Sequence, residues 1–375
     1  PYMGNKNMNE WLSDWVSKNY KEVKSDLFSC FIARNVKFGV RNAQLGFMTP
    51  YVWMFIGSYE KLRNHLIDEN TITSLVQLEY SGFAGATVPI CTFTLQTGSD
   101  LSYRGGYIRL SDFKGADNQA PKTLEAINNP DCGWFYRRRA EDFKAIPGSP
   151  IAYWASRSLI DIFMNQKKLS DFAAVKIGMG TGKNDLFLRD WWEISRCLLD
   201  VNLCSIDRLS ESCGKWFPYN KGGDYRLWYG NLQEVIWFDA EGRAKIQSMS
   251  GHRENGGRAY YFKEGITWTF ISSGRFSVRE RPSGSVFDVA GSMLFINEKE
   301  IFLYVLAFLS SNVSNYILKI LNPTLNYQAG NIKNLPVCIQ DLNNVDLLAN
   351  KNIYISKEDW NSHETSWDFK YHPLV

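Results

Sequence analysis

Residues 176–187, Lys-Ile-Gly-Met-Gly-Thr-Gly-Lys-Asn-Asp-Leu-Phe, separate two stretches of different pattern, so one repeated layer scheme cannot describe the whole chain. Ahead of them, segments of helical and strand period alternate; beyond them, short apolar runs are broken by glycine and aromatic residues. Gly178, Gly180 and Gly182 allow positive φ and close approach of a ligand, and with Lys183 they offer N–H groups and a cation to an anion. A nucleotide-binding P-loop would need glycine at 177 and serine or threonine at 184, where Ile177 and Asn184 stand. A phosphate-binding loop and a plain glycine-rich turn both remain open.

In the first stretch, Trp11 and Trp15, then Leu27, Phe28, Phe31 and Ile32, recur at helical spacing and predict helices over Asn9 to Tyr20 and Lys24 to Val40. Leu45 to Pro50 reads as a short buried strand, Ser58 to Ile67 as an amphipathic helix, and Thr71 to Leu78 and Val88 to Leu95 as strands around a flexible Gly82 to Thr87 turn. This alternation implies an α/β layered sheet with an antiparallel last pair. Tyr107 to Leu110 reads as another strand. Ser149-Pro150 reads as the cap and first residue of a helix continuing through Tyr153 to Asn165, which places a domain boundary near 165. Arg137, Arg138 and Arg139 follow Trp134, Phe135 and Tyr136, either as a strip that tracks phosphates or as a solvated face.

Composition excludes several classes. A chain of 375 residues with 45% hydrophobic and 22% charged residues can bury substantial cores. A net charge of +3 is compatible with a polyanionic partner without demanding one. The seven cysteines form no C-x-x-C pair and the four histidines are scattered, so reduced thiols, a cytoplasmic location and no metal site are expected. The longest apolar run, Ile301 to Leu309, is too short to span a bilayer, and no membrane association is expected.

Pro1-Tyr2, a helix, Leu45-Gly46-Phe47-Met48-Thr49-Pro50, and then Gly82-Phe83-Ala84-Gly85-Ala86-Thr87-Val88-Pro89 resemble the later half of the gamma-type adenine-N6 DNA methyltransferases. The chain is similar above all to the large methyltransferases of BREX phage-exclusion systems and their restriction-modification relatives. In that family a strand ends in Asn-Pro-Pro-Tyr; Pro1 and Tyr2 match its last two residues. The Asn, the first Pro and the glycine-rich S-adenosylmethionine motif lie outside the chain. The resemblance implies the later half of a Rossmann-like α/β sheet followed by an irregular α+β, β-rich target recognition domain. Its parts are catalytic residues 1–100, a connector at 101–165, a target recognition domain at 166–340, and the start of a C-terminal extension at 341–375.

Beyond residue 187, Trp216 to Tyr219, Lys221-Gly222-Gly223, and Arg226 to Asn231 continue the aromatic and glycine punctuation. His252 to Arg281 carries Arg253, Arg258, Lys263, Arg275, Arg279 and Arg281 against three glutamates, interleaved with Tyr260, Tyr261, Trp268 and Phe276. Gly256-Gly257-Arg258 and Ser272 to Phe276 read as exposed loop tips suited to base edges. Candidate DNA-binding residues are therefore Lys176, Gly180, Thr181, Lys183, Asn184, Lys221, Arg226, Arg253, Arg258, Arg275 and Arg279. Ile301 to Leu321 reads as a core helix, and the amide-rich Asn322 to Ile332 as a loop.

By the resemblance, acceptors of the Asn-Pro-Pro-Tyr motif hold the adenine N6 amine, Tyr2 stacks on the flipped base, Pro1 shapes the turn, and Phe83 forms the second aromatic wall. The implied activity is methyl transfer from S-adenosylmethionine to adenine in double-stranded DNA, with other phage-defence proteins as further partner candidates. The cofactor site is expected upstream of Pro1, so the fragment alone is expected to be inactive. A non-catalytic DNA-specificity subunit is the alternative.

Overall fold

The computed structural model describes residues 2–83, 88–272, 274–321, 326–372 and 374. The expectations for Pro1, Ala84 to Thr87, Ser273 and Asn322 to Leu325 fall outside these residues. Two compact units are present, Pro1–Asn165 and Gln166–Val375.

In the first unit, α1 (Glu10–Asn19) and α2 (Leu27–Phe38) fall inside the expected helices. Their starts are set by side-chain caps: Asn9 accepts from the Leu12 amide at 2.9 Å, and Asp26 accepts from the Phe28 amide at 3.2 Å. Strands β1 (Gln44–Pro50), β2 (Asn70–Gln77), β3 (Ile90–Thr97), β4 (Arg104–Arg109) and β5 (Phe135–Arg139) form one sheet in the order β1-β3-β2-β4-β5. Only β2 and β4 are parallel; β3 is antiparallel to both β1 and β2. Residues 101–165 thus supply two strands of the same sheet, together with α4 (Ala116–Asn128) and α5 (Arg157–Asn165).

Period-two alternation decides which face is covered. Leu75, Phe93, Leu95 and Tyr107 are buried with Phe28 and Ile32 of α2 and with Leu62 and Leu66 of α3 (Glu60–Glu69). Gly46, Thr94 and Ser74 share the opposite face, where Thr94 exchanges a hydrogen bond with Ser74 at 2.7 Å. The expectation of a wholly buried strand at 45–50 is therefore corrected: β1 is an edge strand of alternating exposure. A second correction concerns Ser149-Pro150. Ser149 has φ 49° and Ile151, Ala152, Tyr153 and Ala155 are buried in an irregular segment, so the helix begins only at Arg157.

The second unit contains many short elements: β6 (Lys167–Lys168), β7 (Ala173–Lys176), β8 (Gly180–Thr181), α6 (Asn184–Phe187), β9 (Leu188–Asp190), β10 (Trp216–Asn220), β11 (Glu234–Trp237), α7 (Ala240–Ser248), β12 (His252–Arg253), β13 (Gly265–Trp268), β14 (Val278–Arg281), β15 (Val286–Phe287), β16 (Met293–Ile296), α8 (Phe302–Ser310), α9 (Asn312–Leu321), α10 (Ala329–Lys333), β17 (Pro336–Val337) and α11 (Leu342–Asn361). One sheet has the order β15-β10-β11-β9, another β14-β13-β16-β7. Phe217, Tyr219 and Ile236 of the first meet Met293 and Phe295 of the second in one aromatic-rich core. The apolar 301–321 stretch is a helix pair, α8 and α9, bent by 69°; no single helix among the described residues is long and apolar enough to cross a membrane.

Candidate nucleic-acid interface

The glycine stretch is a packing device, and its neighbours supply the charge. A Cβ at Gly178 would lie 2.0 Å from the Phe287 carbonyl oxygen, so only glycine fits there. The Met179 amide donates to that same carbonyl at 3.0 Å, and the Lys183 amide donates to Thr181 Oγ1 at 3.2 Å. These two amides are thus spent inside the protein, correcting the expectation that they face an anion. Thr181 is buried, and its hydroxyl donates to Asn184 Oδ1 at 2.6 Å, which shapes the turn into α6. Below the stretch, the Tyr219 hydroxyl donates to Asp288 at 2.7 Å; burial and the adjacent carboxylate hold that phenol well above its ordinary range.

Gly180 and Thr181 pair with Arg253 and His252 in a two-stranded ribbon. His252 Nδ1 lies 2.9 Å from the Gly180 carbonyl, and Asn255 donates to the Gly178 carbonyl at 2.8 Å. The fold thereby joins the glycine stretch to the head of the basic-aromatic stretch. Lys183 and Arg253 are exposed on this assembly. Lys176 and Lys263 lie over the Tyr260 ring at 4.9 and 5.1 Å, a cation–π arrangement. Arg258 is exposed and pairs with Glu254 at 3.6 Å.

The remaining candidates stand elsewhere or are engaged. Lys221 pairs with Glu234 at 3.3 Å. Arg226 is bound to Asp359 and lies 4.9 Å over Trp360, both on α11. Arg275 is exposed and bonded to Asn312. Arg279 is fully buried, so the expectation that it touches DNA directly is corrected. Its guanidinium donates to the carbonyls of Arg226 and Gly222, and burial lowers its pKa to about 9. Sequence reasoning could not separate Arg279 from Arg253, because position in a strand does not reveal what lies above either face. It passed over Asn255, whose type and nearness to glycines is a turn signal at best.

In the first unit, Tyr2 and Phe83 are 56% and 42% exposed, so both rings can be reached from solvent. The Tyr2 hydroxyl donates to the Met48 carbonyl at 3.1 Å near the end of β1, and the following Met3 amide donates to Asp26 at 3.0 Å. Phe83 follows a turn braced by Gln119 of α4, whose side-chain oxygen accepts from the Glu79 amide at 3.0 Å. Gln119 was not anticipated; an amide inside a helix carries no periodic signal.

The glycines within the five-stranded sheet, Gly46, Gly105 and Gly106, lie inside strands. None forms a glycine-rich strand-to-helix turn of the kind that cradles a nucleoside cofactor. Among the described residues, these three sheet glycines therefore offer no such cradle to S-adenosylmethionine. Among the described residues, no group of three or more His, Cys, Asp or Glu could hold a metal ion.

Residues 1–83 match the Eco57I restriction-modification methylase family. The whole chain is 36% identical over 386 residues to the adenine-specific methyltransferase PglX of Lacticaseibacillus casei (strain Zhang), covering 100% of this chain and 32% of PglX. Along its full length, the chain is a relative of the adenine-specific methyltransferases. The adenine-specific methyltransferase BrxX of Escherichia coli O9:H4 (strain HS) is likewise 36% identical over 381 residues, 100% of this chain and 30% of BrxX. The chain therefore spans about a third of the length of these relatives. Its fold is similar to that of the Type IIL restriction-modification enzyme MmeI, solved in complex with DNA, with a TM-score of 0.59 at 12% identity over 100% of this chain and 50% of MmeI.

Proposed function

We propose that this chain is part of a sequence-specific DNA adenine-N6 methyltransferase of a phage-defence or restriction-modification system. Residues 1–100 belong to its catalytic domain, 101–165 extend the same sheet by two strands and lead on to 166–340, which form the target recognition domain, and 341–375 begin an extension. S-adenosylmethionine supplies the methyl group, at a site built mainly by residues preceding Pro1. Adenine N6 is a poor nucleophile because its lone pair is delocalised into the ring, so the enzyme must take the base out of the stack and hold the amine in a reactive geometry. In this reading Tyr2 and Phe83 stack on the extruded base, and Pro1 shapes the turn beside it.

The observation that carries the DNA part is the β8–β12 ribbon. It joins two stretches, each suited to a polyanion by its own composition, and leaves Lys183 and Arg253 exposed upon it. Lys176, Lys263 and Tyr260 add a basic-aromatic site nearby in sequence. Lys183, Arg253 and Arg258 contact phosphates, which position the duplex without reading it. The Eco57I match over 1–83 and the identity to PglX and BrxX favour a catalytic protein over a DNA-specificity subunit without chemistry.

A domain exchange tests this assignment. Replacing residues 166–340 in the whole protein with the matching segment of a relative of different target should move methylation to that relative's sequence. An active hybrid that keeps the original target would place recognition elsewhere.

A further inference from the structure

Arg279 and Arg281 of β14 are 0% and 1% exposed, and neither is paired with a carboxylate among the described residues. Their guanidiniums instead bind one loop, residues 221–231, at its beginning, middle and end. Arg279 donates to the Gly222 carbonyl at 2.6 Å, to the Arg226 carbonyl at 3.1 Å, and to Thr269 Oγ1 at 3.2 Å. Arg281 donates to the Asn231 carbonyl at 3.1 Å and to Ser285 at 2.9 Å. Arg279 Nε and Arg281 Nη2 are buried without a hydrogen-bond partner. Burying two such cations on one strand is costly, and apolar residues of similar volume would serve stability as well. What they provide is a fixed loop shape.

The loop itself is improbable as a free chain. Gly222, Gly223, Trp228, Gly230 and Asn231 have φ of 89°, 75°, 70°, 125° and 57°. Asn231 ties its ends by donating to the Gly222 and Asp224 carbonyls at 2.8 and 2.9 Å, and Arg226 anchors its far side to α11. At the tip Gly223, Asp224 and Tyr225 are exposed, Tyr225 by 51%, while the Gly223 and Asp224 carbonyls accept from Thr269 Oγ1 at 3.2 and 3.4 Å.

We propose that loop 221–231 is a preformed DNA-reading tip, with Tyr225 as its base-contacting residue and Arg279 and Arg281 as positioning residues. The inference rests on the DNA-recognition reading given above. DNA is favoured as the partner because the two buried guanidiniums, paired with no carboxylate among the described residues, place positive charge beneath a loop that carries an exposed aromatic ring, whereas Lys221 and Arg226 are already compensated by Glu234 and Asp359. Preformation spares the ordering cost that a loop with these backbone angles would otherwise incur on binding.

The test uses the whole protein and a duplex selected by it from a random pool, compared with an unrelated duplex. Tyr225→Ala should lower the ratio of selected to unrelated affinity by about tenfold or more, with an unchanged melting temperature. Arg279→Met should speed amide exchange in 222–231 and reduce the same ratio while leaving affinity for the unrelated duplex intact. Faster exchange with an unchanged ratio would overturn the positioning role, and an unchanged ratio in Tyr225→Ala would overturn the reading tip even if Arg279→Met fails to fold. A wild-type protein that binds DNA without any preference would instead remove the underlying recognition reading.

Discussion

Asn255 donates its side-chain amide to the Gly178 carbonyl at 2.8 Å and so clamps the basic-aromatic stretch onto the glycine stretch. The clamp makes Lys183 and Arg253 features of one assembly, although neither stretch predicts the other in sequence. Lys183→Ala is expected to weaken selected and unrelated duplexes to similar extents, and to reduce the slope of log affinity against log salt by about 0.9 if one phosphate contact is lost. Filter binding over a salt series checks this; loss confined to the selected duplex would assign Lys183 to base reading.

Gly178 should tolerate no side chain. A methyl group would sit 2.0 Å from the Phe287 carbonyl, against backbone that cannot retreat without breaking the Met179 hydrogen bond. Gly178→Ala should cost about 3 kcal/mol or more, at or beyond the upper end of ordinary overpacking. Urea unfolding monitored by the tryptophans of the second unit gives the value, and a loss below about 1 kcal/mol would show that the stretch yields easily.

Glu280 supplies a pH-dependent prediction. Burial raises its pKa above the ordinary carboxylate range, the nearby Glu264 adds to the rise, and Lys357 opposes it. Because the folded-state pKa is above the unfolded one, the charged form is disfavoured by folding, and the resulting penalty sets in as pH rises through the carboxylate range. Glu280→Gln should therefore raise the melting temperature at pH 7 and make little difference near pH 4, where both side chains are neutral. Equal effects at the two pH values would contradict a titration origin.

Much of the first unit was legible because its signals are local. The helices at Glu10–Asn19 and Leu27–Phe38 follow from apolar spacing and from Asn9 and Asp26 as caps, and the β2–β3 pair follows from β-branched runs around a turn. Ser149-Pro150 misled because the cap-and-proline pattern is local, whereas the burial of Ile151, Ala152, Tyr153 and Ala155 is tertiary and overrides it. In the second unit the basic residues were visible but their fates were not. Arg253 on a ribbon and Arg279 beneath a loop have the same side chain and similar neighbours in sequence; only the packing of β14 against the 221–231 carbonyls separates them.

In the proposed function this chain carries the base-stacking part of an adenine methyltransferase. The most direct measurement is N6-methyladenine formed on DNA by the whole protein with S-adenosylmethionine, quantified by mass spectrometry for wild type and Tyr2→Ala. Removing the ring should lose stacking of about 1–3 kcal/mol, lowering methylation roughly tenfold to a hundredfold while DNA affinity changes little. Absence of N6-methyladenine from the wild-type reaction, or full activity in Tyr2→Ala, would contradict the account.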